Sequence, residues 1–135
     1  MNSKGLAVIV LAAGKGTRMK SSLAKVLQPL KNKPLLYYVL ESLAPLNPDL
    51  SVLVVGFQSK VVKESFSDRG LIFVEQKEQL GTGHAAQQAK LALHDFSGDV
   101  LVVCGDMPLI KSQTLIDLVN RHQAKKAAII SMADF

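Results

Sequence analysis

The chain has 135 residues, 48% of them hydrophobic and 20% charged, which is enough to bury the core of about one domain and too apolar for a disordered tail. A net charge of +5 and a pI of about 9.4 fit a polyphosphate site, or the lack of an acidic half. The basic residues are scattered, with Lys125-Lys126 the only adjacent pair, so nucleic acid is set aside as a partner.

Leu6 to Leu11 (LAVIVL) is a continuous branched run ending near glycine and reads as a buried parallel strand. Leu35 to Leu46 carries apolar residues at helical spacing, with Pro34 suited to the first turn. Ser51 to Val55 is a second strand closed by Gly56, and Ser59 to Phe66 a helix capped by Ser59. Leu71 to Val74 is a third strand, and the alanine-rich Gly83 to Leu93 a helix. Val100 to Cys104 is a fourth strand, Ser112 to Ala124 a helix with Ser112 as N-cap, and Ala128 to Met132 a fifth strand.

Cys104 is the only cysteine, so no intrachain disulfide forms, and it reads as a small buried hydrophobe in a reducing compartment. The apolar stretch Leu6 to Ala13 runs into a glycine loop rather than a cleavage site. No apolar run nears the roughly 18 residues of a membrane helix. The expected setting is the cytoplasm, with no membrane partner.

Strands alternating with helices predict right-handed βαβ units and a mainly parallel sheet covered on both faces, an α/β three-layer sandwich of Rossmann-like type. Ligands bind such sheets at the carboxyl ends of the strands, where the strand order reverses. The loops after Leu11, Val74 and Cys104 are therefore read first. No helix follows the fifth strand, so the expectation is a truncated domain, with a compact five-stranded domain as the alternative.

The first loop is Leu11-Ala12-Ala13-Gly14-Lys15-Gly16-Thr17-Arg18-Met19-Lys20. Gly14 and Gly16 can take positive φ, so that successive N–H groups form an anion nest. Lys15, Arg18 and Lys20 add positive charge, and Arg18 can fork onto phosphate oxygens. A triphosphate carries the charge such a loop lacks. Met19 stands where a dinucleotide fingerprint has its third glycine, and no G-x-x-x-x-G-K-[ST] is present. The alternative is a glycine turn with solvated lysines. Lys25 lies shortly after, either as a surface lysine over the core or within reach of an α-phosphate.

Glu75 to His84 (EQKEQLGTGH) follows the third strand. Gln76 and Gln79 offer amide donors and acceptors to a base edge, Gly81 and Gly83 clear space for a flat ring, and Thr82 can cap the helix. The alternative is a polar loop with a capping threonine. His84 lacks metal spacing and is read as structural. In Val103-Cys104-Gly105-Asp106-Met107-Pro108, Asp106 ends a central strand. It suits Mg²⁺, a hard cation held by one or two carboxylates plus substrate phosphates, with Gly105 leaving room for metal and nucleotide. The alternative is an Asx-turn before Pro108.

Together these strings resemble the sugar-phosphate nucleotidyltransferases. Leu11 to Met19 is similar to the signature loop of that family, and Asn32-Lys33-Pro34 with its leucine-rich helix also fits. Glu78 to Ala85 with Gln87-Gln88-Ala89 resembles the uridylyl-transferring branch that activates N-acetylglucosamine 1-phosphate. Gly105-Asp106-Met107-Pro108-Leu109 is likewise similar. The likeness runs from Leu6 to the last strand.

The resemblance implies a nucleotide-diphospho-sugar transferase fold, with residues 1–135 forming the nucleotide-binding half of a nucleotidyltransferase domain. The rest of that domain and any acetyltransferase β-helix would lie further along. It implies that UTP and N-acetylglucosamine 1-phosphate give UDP-N-acetylglucosamine and pyrophosphate with Mg²⁺, in a homo-oligomer that is a trimer. Arg18 would serve the triphosphate and Lys25 the reacting phosphates. Leu11, Ala12, Ala13, Gly14, Gly16, Thr17, Gln76, Gln79, Gly81 and Thr82 would hold the nucleotide, and Asp106 the metal. A second metal ligand and the sugar pocket would lie downstream. One departure is Ala24, where the family usually has proline before the lysine. A guanylyl- or cytidylyltransferase, or a non-catalytic nucleotide-binding regulatory module, is the alternative.

Overall fold

The computed structural model describes residues 5–14, 22–126 and 128. Six strands and four α-helices are seen among them: β1 (Gly5–Ala12), β2 (Pro29–Leu30), β3 (Lys33–Pro34), α1 (Leu35–Leu43), β4 (Leu50–Val55), α2 (Ser59–Ser65), β5 (Ile72–Glu75), α3 (Thr82–Gln87), β6 (Gly98–Cys104) and α4 (Ser112–Lys125). Short 3₁₀ turns occupy Lys25–Leu27 and Ala44–Leu46.

β1, β4, β5 and β6 form one four-stranded sheet in the order β5-β4-β1-β6, and every pairing is parallel. The chain steps outward from β1 to β4 and β5, then crosses back to β6 on the far side of β1. The order therefore reverses between β1 and β6, which makes their carboxyl ends the switch point.

Alternation along each strand divides the core. On one face Val8, Val10 and Ala12 of β1, Leu53 and Val55 of β4, and Leu101 and Val103 of β6 pack with Leu36, Val39, Leu40 and Leu43 of α1, Val62 of α2 and Leu115 of α4. On the other, Ile9, Val52 and Val54 lie under Ala85 and Ala89. The α/β layering matches the expectation, but cover is unequal. Val100 and Val102 of β6 are 45% and 44% exposed on the α3 side, because α3 sits over β1 and β4. The expected fifth strand falls on residues 128–132, of which only residue 128 is described.

Several local expectations are corrected. The first helix stops being α-helical at Leu43 and tightens to 3₁₀ around Pro45, which has no N–H to continue the ladder. The helix expected over Gly83 to Leu93 is α-helical only to Gln87; beyond it, bonds such as Lys90 N–H to Gln87 O and Ala89 N–H to Ala86 O close tighter turns. Gln58, Gly81 and Lys111 hold the N-cap positions expected for Ser59, Thr82 and Ser112, and none of the three makes a side-chain cap bond. An unexpected hairpin pairs Leu30 with Lys33 across Lys31 and Asn32, both at positive φ (49° and 67°), the signature of a two-residue primed turn.

Among the described residues no helix is long and apolar enough to cross a membrane.

Candidate active site

The carboxyl ends of β1 and β6 are locked in register, Leu11 opposite Cys104. The ladder continues one residue further, where Gly105 N–H donates to Leu11 O at 2.8 Å. Asp106 therefore leaves β6 beside Ala12, Ala13 and Gly14. The glycine makes this possible. A Cβ at Gly105 would meet Leu11 O at 3.1 Å and Val26 Cγ1 and Leu36 Cδ1 at 3.2 Å. That corrects the expected role of Gly105: protein atoms, not a ligand, fill the space over it.

The contact with Val26 carries Lys25 to the site. Val26 is buried in the core, and the 3₁₀ turn it anchors puts Lys25 Nζ 2.8 Å from Asp106 Oδ2. These side chains are 44% and 28% exposed, so water weakens the pair to at most about 1 kcal/mol. Such a contact holds both groups at one mouth. Cys104, expected to be a buried hydrophobe, is half-buried here. Burial raises its thiol pKa from the ordinary value, Asp106 adds to the rise and Lys25 opposes it.

On the opposite side of β1, Phe57 N–H donates to Ala13 O at 3.2 Å, tying the β4 exit to the first loop. Gly56 sits between that loop and the one after β5. A Cβ there would meet Gln79 Nε2 at 2.9 Å and both Cβ and O of Ala13 at 3.0 Å. Gln76 is buried (3% exposed), and its amide nitrogen donates to Gly81 O at 3.3 Å and lies 2.9 Å from His84 Nδ1. His84 also contacts Gln88, so it braces this loop from within, as its structural reading anticipates. Gln79, Gly81 and Thr82 are exposed, and open space surrounds Gly81 and Gly83.

The structure thus gathers Leu11, Ala12, Ala13, Gly14, Lys25, Gln76, Gln79 and Asp106 along the carboxyl edge, with Gly81 and Thr82 beside them. Gly16, Thr17 and Arg18 lie outside the described residues. Sequence reading missed Gly56 and Gln58. A glycine directly after the second strand, level with the first loop, was the available signal for Gly56.

Among the described residues no group of three or more His, Cys, Asp or Glu could hold a metal ion. A lone, partly exposed carboxylate such as Asp106 is still the donor set expected where substrate phosphates supply most ligands to a hard cation, so the site fits Mg²⁺. Two concavities among the described residues, of about 480 and 280 Å³, lie at the amino ends of the strands near Asp49 and are remote from this chemistry. The open carboxyl edge, where charge and register converge, is the better candidate.

Residues 8–134 match the family model of the MobA-like NTP transferase domain. The chain is 46% identical over 127 residues to the bifunctional protein GlmU of Desulfotalea psychrophila, covering 94% of this chain and 38% of that protein. It is 53% identical over 124 residues to the bifunctional protein GlmU of Synechococcus elongatus, covering 91% of this chain and 27% of that one. It thus spans about a quarter to two-fifths of these relatives. In fold it is similar to a UDP-glucose pyrophosphorylase crystallised with UDP-glucose, with a TM-score of 0.70 at 19% identity over 88% of this chain and 54% of that one.

Proposed function

The chain belongs to the MobA-like NTP transferase family, and from that premise we propose that it is the nucleotide-binding half of a cytoplasmic, Mg²⁺-dependent uridylyltransferase. The reaction joins UTP to N-acetylglucosamine 1-phosphate and releases pyrophosphate. The observation that carries this reading is the Lys25–Asp106 pair at the switch point, opening beside the Ala12–Gly14 backbone. Similarity to proteins named GlmU supports the acceptor, and the UDP-glucose complex of the fold relative supports a uridine nucleotide.

In this reading the sugar-phosphate oxygen attacks the α-phosphorus in line. The nucleophile is already an anion, so the site needs no general base, and rate comes from positioning and charge neutralisation. Asp106 would hold Mg²⁺, which supplies electrophilic charge to the phosphates when bound. Lys25 leaves Asp106 for the reacting phosphates, and Arg18 serves the triphosphate. The glycine-rich string from Leu11 to Thr17 would take its oxygens. Gln76, whose amide nitrogen is committed to Gly81 and His84, offers its carbonyl oxygen to the base. Gln79, Gly81 and Thr82 complete the nucleoside face.

The test is product formation by the full-length protein from Mg²⁺, UTP and N-acetylglucosamine 1-phosphate, run beside GTP and CTP. UDP-N-acetylglucosamine formed from UTP alone is the expected result. Preference for another nucleotide overturns the base assignment, and no transfer with any of them overturns the enzyme reading.

A further inference from the structure

The segment before Lys25 is held by one side chain from another strand's exit. Gln58 Oε1 accepts from Ala24 N–H at 2.5 Å, and Gln58 Nε2 donates to Ser22 O at 2.8 Å. A single amide thus reads both a donor and an acceptor two residues apart, which fixes the rotation of that strand of chain as well as its distance. Ala24 is fully buried, and its C=O accepts from Leu27 N–H at 3.0 Å to start the 3₁₀ turn that opens with Lys25.

Gln58 occupies a backbone state that side chains with a Cβ rarely adopt, at φ 56° and ψ 38°. It follows Phe57, whose N–H is bonded to Ala13 O, and its own C=O accepts from Val62 N–H at 3.1 Å to begin α2. Glycine would suit that backbone better and is well accepted at an N-cap. What glycine cannot supply is the amide that grips Ser22 and Ala24. Backbone strain of this kind clusters at functional sites, where the surroundings hold it in place.

We propose that Gln58 is a positioning residue for the transfer reaction, setting Lys25 against Asp106 by clamping Ser22 and Ala24 to the exit of β4. This rests on the reading that Lys25 serves the reacting phosphates. The clamp also makes the residue at 24 and the residue at 58 exclusive partners. Ala24, at φ −55° and ψ 144°, already has a backbone proline could adopt. A proline ring there would remove the donor and push its Cδ into the place of Gln58 Oε1. Proline at 24 and the amide at 58 are therefore two alternative ways of fixing one segment.

The test uses the full-length protein. Gln58→Gly is expected to lower kcat on the order of tenfold, the scale of one net hydrogen bond, with KM for UTP little changed and the melting temperature unchanged or raised. Amide hydrogen exchange at Ala24 should quicken in that variant. Ala24→Pro alone should also lower kcat, and Ala24→Pro with Gln58→Gly should recover it, since the ring then has room. A purely structural residue would give neither the split between turnover and melting nor the recovery. Wild-type kcat in Gln58→Gly beside an inactive Lys25→Ala overturns the proposal, and so does unchanged exchange at Ala24. If Lys25→Ala keeps full turnover, the role of Lys25 fails and the positioning role fails with it. Exchange at Ala24 would still report the clamp, separating the two failures.

Discussion

Lys25 and Asp106 come from distant parts of the chain, yet their charged atoms lie 2.8 Å apart where β1 and β6 end in register. The pair is partly exposed and contributes at most about 1 kcal/mol to folding, so its placement there is better explained by chemistry than by stability. Lys25→Ala and Asp106→Ala should each cost the full-length enzyme on the order of 10²-fold or more in turnover, as single electrostatic donors do elsewhere. Thermal melting should move little in either variant. Near wild-type turnover, or a collapse in melting temperature large enough to explain the loss, removes the assigned roles.

Gly56 separates the first loop from the loop after β5, and its missing side chain lets Ala13 and Gln79 approach. Gly56→Val would drive atoms into the Ala13 backbone, which cannot swing aside as a side-chain end can. Overpacking of this kind costs roughly 1–3 kcal/mol, shared between the fold and the nucleotide site. Calorimetric titration of UTP should show affinity falling by about tenfold or more. Binding at wild-type strength in a folded Gly56→Val protein would mean that the two loops do not form one nucleoside face.

Cys104 offers a reading of the same charges through pH. Burial, with Asp106 second, pushes the thiol pKa up from its ordinary value, while Lys25 pulls the other way. The folded state thus binds the proton more tightly than the unfolded chain, whose thiol titrates near ~8.5. The stability this contributes is whole below that pH and is lost as pH rises through the folded value. Alkylation by iodoacetamide between pH 8 and 10 should be slower in the native protein than in urea. Asp106→Asn should speed the native rate and Lys25→Ala should slow it further. The opposite order in the two variants contradicts the electrostatic arrangement.

The features legible in the sequence were those set by local pattern. Continuous branched runs gave the four central strands, and glycine-rich strings after them pointed to the edge that matters. The Lys31-Asn32 hairpin was not legible because neither residue is the glycine that usually marks positive φ. The structural roles of Gly56 and Gln58 were hidden because each depends on what lies across the sheet exit, on Ala13, Gln79 and Ala24, and no spacing along the chain encodes that. The caps were misread for a similar reason: serine's preference for an N-cap is a local tendency, and distant acceptors can win.

Ser112 shows that outcome in a testable form. Its Oγ–H donates to Ser42 O at 2.8 Å, a bond to another helix where a cap would accept an N–H of its own, and Ser42 Oγ donates to Ile110 O at 2.7 Å. The two hydroxyls make a reciprocal tie between the end of α1 and the entry of α4. Ser112→Ala should lower stability by about 1 kcal/mol, the net worth of one such bond, and Ser42→Ala by a similar amount. Because both bonds hold the same junction, the double variant should cost less than the sum of the singles. An N-cap role predicts differently: Ser112→Asp or Ser112→Asn would then keep wild-type stability. In the observed geometry a carboxylate at 112 faces the Ser42 carbonyl, two acceptors with no proton between them, so Ser112→Asp should be worse than alanine. Urea unfolding of these variants decides between the two, and a stable Ser112→Asp protein would restore the helix cap.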